Sequence, residues 1–302
     1  MLSVAVGAKP LALPEVWHGL LHGDSPAYPV VHRMRLPRTL LGLLVGAALG
    51  LAGAAMQALT RNPLADPGLL GVNAGASAAV ATAAALGVGD LRWYVWFALL
   101  GAAAVTAAVY LVGGGPAATP ARLALAGAAL AAALYSYVSA MMLLDSGSLE
   151  RMRFWTVGSL AAAEPATVRQ VLPFVAVGTL VALAAAGPLN ALALGDDTAR
   201  ALGAHPARIR AAVIVAVTLL CGAATAACGP IVFVGLIAPH AVRALVGADL
   251  RWLLPYCAVL APVLLLGADV LGRVLARPGE LQVGIVTAVL GGPLFLYLVV
   301  RR

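Results

Sequence analysis

The chain has 302 residues, of which 62% are hydrophobic and only 10% are charged, and its mean hydropathy is +0.98. A soluble domain is about half apolar and about a quarter charged, so this chain has too little charge to cover a water-facing surface. The formal charge of +7 comes from 18 arginines and a single lysine, Lys9. The arginines fall in short joints between apolar stretches, which favours membrane-flanking positions over binding to nucleic acid.

Apolar stretches of about 20 residues recur along the chain, and a helix of that length crosses a bilayer. The fold class predicted is therefore an all-α polytopic membrane protein. No joint is long enough to separate a second domain, so residues 1–302 form one predicted transmembrane domain. The nine predicted spans are residues 38–59, 68–88, 92–112, 121–144, 166–190, 208–227, 230–246, 253–272 and 281–300.

The first 35 residues begin with an apolar run too short to span a bilayer, and they lack the full pattern of a signal peptide. We expect residues 1–35 to form an interfacial arm or the tail of a helix. In the span that follows, Gly42, Gly46 and Gly50 are spaced by four residues and therefore lie on one face of the helix. Glycines at this spacing predict the close approach of another helix.

A polar break, "MQALTRNPLADPGLLGVNAG", interrupts the apolar pattern at residues 56–75. The helix before it is predicted to end near Thr60, because the residue before Pro63 is disfavoured in helical geometry. Gly68 and Gly71 then allow the next helix to begin in close contact with its neighbours.

Two later stretches indicate irregular structure. In residues 192–210, "LALGDDTARALGAHPARIR", acidic residues precede a basic one, as in a short helix outside the membrane. We interpret this helix as a docking element; an ordinary solvated loop is the alternative. In residues 229–247, Pro230 and Pro239 predict a broken or kinked helix, which is tolerated only where neighbours satisfy the freed backbone groups.

Enzyme chemistry is not indicated. The only lysine, Lys9, lies in "VGAKPLA" and not in a P-loop, and neither GxSxG nor HExxH occurs. The five histidines are scattered, and the three cysteines lie in apolar spans without CxxC spacing, so no catalytic residue and no metal site is predicted.

The predicted spans contain almost no ionisable residues, whereas a proton- or sodium-driven transporter normally carries them. Asp269 has Arg273 four residues later, the spacing of an ion pair within a helix. These features favour a permease driven by a separate ATPase over a self-sufficient secondary transporter or channel.

Lysine and arginine divide nine against ten between alternate joints, so charge does not give the orientation. Arginines held on an outer face indicate a docking surface for an acidic partner.

Several long motifs resemble, in order, the permeases of type II ABC importers for iron-siderophores, haem and cobalamin. They are "MRLPRTLLGLLVGAALGLAGAAMQALTRNPLADPGLLGVNAGA", "LNALALGDDTARALG", "GPIVFVGLIAPHAVR" and "GADVLGRVLARPGELQVGIVTAVLGGPLFLYLV". The resemblance implies a ten-helix subunit of the bacterial cytoplasmic membrane that pairs as a homodimer, with the transport path on the two-fold axis. It also implies two ATPase subunits on the cytoplasmic face, which hold the ATP and magnesium, and an extracytoplasmic substrate-binding protein. This chain itself is expected to bind no cofactor.

The resemblance also assigns roles to residues. The ATPase-coupling helices match Leu194–Pro206, which places the contact on Asp196, Asp197, Thr198, Arg200, Leu202 and Gly203. The arginines that receive the binding protein match Arg35, Arg38 and Arg273, for which anchoring to lipid headgroups is the alternative. The cytoplasmic gate matches Asn62, Pro63 and Leu64.

The family normally begins with one more transmembrane helix, and Leu2–Gly7 resembles only its tail. Nine spans would put the N-terminus outside and the C-terminus inside. Among substrates, "LERMRFWTVGSLAAAEP" and "GADLRWLLP" resemble the iron-siderophore members more than the cobalamin members, and haem stays open.

Overall fold

The computed structural model describes residues 2–7, 11–88, 91–115, 118–144 and 155–300, and most of these residues are helical. The helices are α1 (Leu2–Ala5), α2 (Leu13–Leu21), α3 (Tyr28–Val30), α4 (Leu36–Thr60), α5 (Val72–Ala85), α6 (Leu91–Val112), α7 (Pro120–Leu144), α8 (Pro165–Ala184), α9 (Ala186–Ala193), α10 (Asp196–Ala201), α11 (Pro206–Cys228), α12 (Val234–Val246), α13 (Leu250–Leu275) and α14 (Val283–Val300). A 3₁₀ turn, Pro67–Leu70, precedes α5.

The all-helical prediction is confirmed, since eight of the nine predicted spans fall mainly on one helix each and the ninth falls on two. In the described residues, six helices are long and apolar enough to cross a membrane. The shorter apolar helices are Val72–Ala85, Val234–Val246 and Val283–Tyr297.

Two predicted boundaries were wrong, both near a proline. The first span begins at Tyr28 rather than at residue 38, because α3 continues through a π-helical turn, Val31–Arg35, into α4. Pro37 lacks an N–H and crowds the preceding turn, which the wider π turn accommodates. The span predicted at 166–190 divides at Ala185, just before Gly187 and Pro188.

Helix α4 is the centre of the bundle, and α11, α12 and α13 pack around it. The apolar window of its span is 72% buried within the chain, whereas the corresponding window of α7 is only 11% buried. The glycine face of α4 explains this position. A Cβ on Gly46 would lie 2.5 Å from the Cα of Pro262, and one on Gly50 would lie 2.7 Å from the carbonyl oxygen of Cys257. The predicted close packing on this face is confirmed.

The predicted break in the helix of residues 229–247 is also confirmed. Helix α11 ends at Cys228, and α12 begins only at Val234. The carbonyl oxygen of Cys228 accepts the N–H of Ser159 at 2.7 Å, so a neighbouring segment satisfies a group that the break has freed.

The glycine face gives a test of this packing. Gly46→Ala should destabilise the folded protein by roughly 1–3 kcal/mol, because the added methyl group meets backbone that cannot move aside. The measurement is the thermal unfolding midpoint in detergent. Gly267→Ala is the matched control, since nothing lies within 4 Å of its Cβ position in α13. Equal midpoints for the two variants would show that the α4–α13 contact is not close-packed.

Candidate functional site

The predicted gate residues lie in a tight turn at the end of α4. Helix α4 ends at Thr60, as predicted, and Arg61 takes a left-handed conformation with φ 50°. The side chain of Asn62 accepts the N–H of Leu64 at 3.0 Å, which fixes the turn around Pro63. Asn62 is exposed, and Pro63 and Leu64 are half-buried. We call residues 61–65 the gate turn; its role as a gate stays a prediction.

The predicted coupling residues lie on and just after α10, a six-residue helix with Asp196 and Asp197 in its first turn. A short helix in this stretch was predicted and is confirmed. Asp197, Thr198, Arg200, Leu202 and Gly203 are exposed, and Asp196 is half-buried. The side chains of Arg200 and Asp197 pair at 2.8 Å on the surface. The exposed side of α10 is therefore available to a partner.

An ionic bridge joins the gate turn to α10. Arg61 Nη2 donates to the carbonyl oxygen of Leu192 at 2.6 Å and to Asp196 Oδ1 at 3.1 Å. Arg210 Nη2, from the first turns of α11, donates to Asp196 Oδ2 at 2.7 Å. One carboxylate thus links two arginines from different helices, and the two segments singled out in the sequence lie at the same end of the bundle. We call this the Arg61 end.

The electrostatics of the bridge keep Asp196 ionised. Partial burial alone would raise the pKa of its carboxyl. The hydrogen bond from Arg210, together with the charges of Arg210, Arg61 and Arg200, outweighs that effect and lowers the pKa below its usual value. A lowered folded-state pKa means that the bridge stabilises the fold above the unfolded-state pKa and loses this effect only as pH falls through the folded-state pKa. The bridge is therefore intact at neutral pH.

A second polar link anchors this end. Asp249 caps α13 by accepting the N–H of Arg251 at 3.0 Å, and it also accepts a hydrogen bond from the side chain of Asn190 at 2.5 Å. These two hydrogen bonds lower the pKa of Asp249, that from the backbone of Arg251 having the larger effect. Because Asn190 lies in α9, the short segment that leads to α10 is tied to the bundle at α13.

The three arginines predicted to receive a binding protein lie together at the opposite end, which we call the Arg38 end. They face inward, however. Arg35 is 5%, Arg38 8% and Arg273 2% exposed. Buried acceptors surround them, because an unpaired guanidinium group away from water would strongly destabilise the fold. Their docking role stays a prediction.

Asp269 is the main acceptor at the Arg38 end. Its fully buried carboxylate accepts hydrogen bonds from Arg38, the shortest at 2.7 Å, and pairs with Arg273 one helical turn later. The i,i+4 pair predicted from the sequence is therefore confirmed. Arg38 also pairs with Glu280 at 2.7 Å. No local pattern predicts that Arg38, 231 positions away, shares Asp269.

The same arginines hold the N-terminal segment. Arg35 donates to the carbonyl oxygens of Val4 and Ala5, and Arg273 donates to those of Ser3 and Val6. These carbonyls lie at the carboxyl end of α1, where a helix favours positive charge. Residues 3–6 therefore pack against the bundle.

Comparison with known proteins identifies the class of this bundle. The FecCD transport family matches residues 1–301. The ferric enterobactin transport system permease protein FepD of Escherichia coli strain K12 is 48% identical over 307 residues, covering 100% of this chain and 91% of that protein. The chain belongs to the FecCD transport family.

A second relative and a solved structure agree with the fold. The Fe(3+)-citrate import system permease protein YfmD of Bacillus subtilis strain 168 is 41% identical and covers 98% of this chain and 89% of that protein. A solved structure described as an inward-facing conformation of a metal-chelate type ABC transporter superposes with a TM-score of 0.87 at 29% identity, covering 99% of this chain and 94% of that chain.

As a FecCD permease, the chain is a multi-pass protein of the cytoplasmic membrane and a transport subunit rather than an enzyme. Hydrolysis of ATP belongs to a separate ATPase subunit. In the described ranges, no group of three or more His, Cys, Asp or Glu side chains could hold a metal ion.

Sequence reasoning missed the residues that connect the predicted segments. Arg61 and Arg210 were seen only as basic residues in joints, yet they share Asp196 across 135 and 14 positions of the chain. The one available signal was the position of Arg61, a charged residue directly before the predicted gate. Pairing partners so far apart leave no trace in local spacing.

Removing Asp269 tests the buried network. Asp269→Ala should lower the free energy of unfolding by about 3 kcal/mol or more, because two buried guanidinium groups lose their carboxylate. Thermal unfolding in detergent measures the effect. Glu280→Ala is the control: its side chain is 32% exposed and pairs with Arg38, which keeps Asp269, so a change below about 1 kcal/mol is expected. Similar losses in both variants would contradict the central position of Asp269.

Proposed function

We propose that this chain is the permease subunit of an ATP-driven importer that carries an iron(III)-siderophore across the cytoplasmic membrane. The observation that carries the proposal is its 48% identity, along the full chain, to a ferric enterobactin permease. A relative for ferric citrate supports iron chelates as the substrate class.

Haem is the second candidate substrate. The hemin transport system permease protein HmuU of Yersinia pestis is 35% identical and covers 99% of this chain. That identity is lower than for the siderophore and citrate relatives, so we rank haem, and cobalamin with it, below an iron-siderophore.

The working unit we propose is a homodimer with the path between two copies. Helix α7 supports this arrangement, because only 11% of its apolar window is covered within one chain. The exposed side of α7 also carries the hydroxyls of Tyr135, Ser136 and Ser139. Ser136 and Ser139 donate back to carbonyls of their own helix at 2.9 Å, as expected for hydroxyls with no neighbouring helix to bond. A polar stripe of this kind suits a helix that lines a water-filled path.

At the Arg61 end we propose contact with two ATPase subunits through residues 192–210. An open depression of about 460 Å³ lies beside α10 and is lined by Arg200, Gly203, Ala204, His205, Pro206, Ala207 and Arg208. Exposed arginines at its rim suit acidic groups on the ATPase. The contact residues proposed are those assigned above, Asp196 to Gly203, and ATP and magnesium bind to the ATPase, with no cofactor on this chain.

At the Arg38 end we propose docking of an extracytoplasmic substrate-binding protein, next to α1. Arg35, Arg38 and Arg273 already have partners inside the chain. A carboxylate from the binding protein must therefore replace one of these internal partners. Glu280 is the one that can be replaced, since it is partly exposed and pairs with Arg38 alone among the described contacts. An acidic side chain of the binding protein would replace Glu280 on Arg38 while Asp269 stays in place.

Competition between chelates tests the substrate. In cells that depend on this permease and its partners, uptake of radiolabelled iron from a ferric siderophore should be suppressed by excess of the same siderophore and not by haemin. The control is a strain without the permease, which sets the background. Suppression by haemin, with no competition from ferric siderophores, would replace the first candidate by the second.

The gate is tested by Leu64→Ala. Truncation should let the chelate leak or let ATP be hydrolysed without transport. In the proposed gate, the Leu64 side chains of two copies meet and close the path. The measurement is chelate moved per ATP hydrolysed in vesicles that contain permease and ATPase, and we expect a several-fold fall. Leu86→Ala, at the far end of α5 and 74% exposed, is the control. An unchanged ratio for Leu64→Ala would return the segment to the role of a simple turn.

A further inference from the structure

Arg61 occupies an unusual backbone position for its residue type. It directly follows the last residue of α4, and its φ of 50° and ψ of 32° are left-handed. Glycine is the usual residue at this position of a helix end, because a side chain is disfavoured there. In the described part of the chain, Phe233 is the only other non-glycine residue with positive φ. A disfavoured conformation kept with a long side chain indicates that the side chain has a task.

The side chain of Arg61 contacts two consecutive segments. A single nitrogen, Nη2, reaches both the carbonyl oxygen of Leu192 in α9 and the carboxylate of Asp196 in α10. The Arg61 side chain is 44% exposed and that of Asp196 is 28% exposed, so the pair lies at the surface of the bundle and not in its core. Such a pair contributes little to global stability but fixes a distance between two segments.

The backbone continues this link into the gate turn. Arg61 directly precedes Asn62, whose backbone N–H donates to the carbonyl oxygen of Gln57 at 3.1 Å and whose side chain holds Leu64. On the other side, Asp196 begins α10, whose next residues are exposed. A displacement of α10 by a partner therefore pulls on Arg61 and on the turn that follows it.

We propose that Arg61 is a positioning residue that transmits movement of α10 to the gate turn, so that events at the ATPase contact open or close the path. This inference rests on the proposed function of both segments, and it adds a residue and a physical link between them. Arg210 holds the other oxygen of Asp196 and keeps α10 in register with α11. The Arg61 side chain is 44% exposed and that of Arg210 only 15%, so in this proposal Arg61 is the side of the bridge that moves.

Replacing Arg61 by glycine separates this role from a structural one. Arg61→Gly removes the bridge and also relieves the left-handed backbone, so a residue needed only to end α4 would leave the protein equally or more stable. We expect a folded protein with an unchanged thermal midpoint, and ATP hydrolysis in the complex that continues. Chelate moved per ATP should fall roughly five-fold or more, the lower range of coupling between two sites.

Two further substitutions make the result decisive. Arg61→Lys should restore much of the ratio, because both contacts come from one nitrogen and an ammonium group can make them. Arg61→Gln keeps a long side chain without charge and should behave like Arg61→Gly, which covers the case in which the glycine variant fails to fold. Arg122→Ala is the control for loss of one exposed arginine at the same end, and its ratio should match the unaltered permease.

The outcomes distinguish this inference from the proposed function. If the unaltered complex moves chelate with ATP and Arg61→Gly moves as much per ATP, Arg61 does not transmit movement and the inference fails alone. If the unaltered complex hydrolyses ATP but moves no chelate, the proposed function fails and the inference with it. A fall in Arg61→Gly and Arg61→Gln, with recovery in Arg61→Lys, supports both.

Discussion

Inside a bilayer no water is available to a charged group, so a charge that the chain buries must find its partner within the protein. This permease meets that constraint with one carboxylate between two arginines. At the Arg38 end, the buried carboxylate of Asp269 pairs with both Arg38 and Arg273. Because Arg38 lies in α4 and Arg273 in α13, the pairing fixes the register of the two helices that form the centre of the bundle.

The same arrangement at the other end has a different physical character. Asp196 also lies between two arginines, Arg61 and Arg210, but all three side chains have access to solvent. Screening and hydration make such a bridge contribute little to global stability, and at the surface it can move together with α10. The buried network therefore holds the bundle together, and the exposed bridge is available for movement. Between them lies the close-packed glycine face of α4.

A feature of this structure can be predicted from the sequence when the residues that form it are close together along the chain. The spans, the end of α4 at Thr60, the break after Cys228 and the Asp269–Arg273 pair all follow from local rules of hydropathy, proline geometry and helical spacing. The glycine face of α4 also follows from a local pattern, the spacing of its glycines, and the face contacts α13 in the structure.

The features that were missed are those that depend on tertiary contacts. The internal partners of Arg35, Arg38 and Arg273 were not predicted, because most of them lie far away in the sequence. Only the packed structure shows that α1 offers them carbonyl oxygens and that α13 offers them Asp269. The bridge from Arg61 to Asp196 was missed for the same reason, although both segments had been identified separately.

The central claim is that this chain is a passive path whose energy comes from another subunit. Measuring chelate uptake into vesicles that contain the purified permease, with and without its ATPase and binding protein, tests it most directly. The account predicts no accumulation by the permease alone under any ion gradient, and accumulation when the partners and ATP are present. Accumulation of iron chelate by the permease alone, driven by a proton gradient, would contradict it.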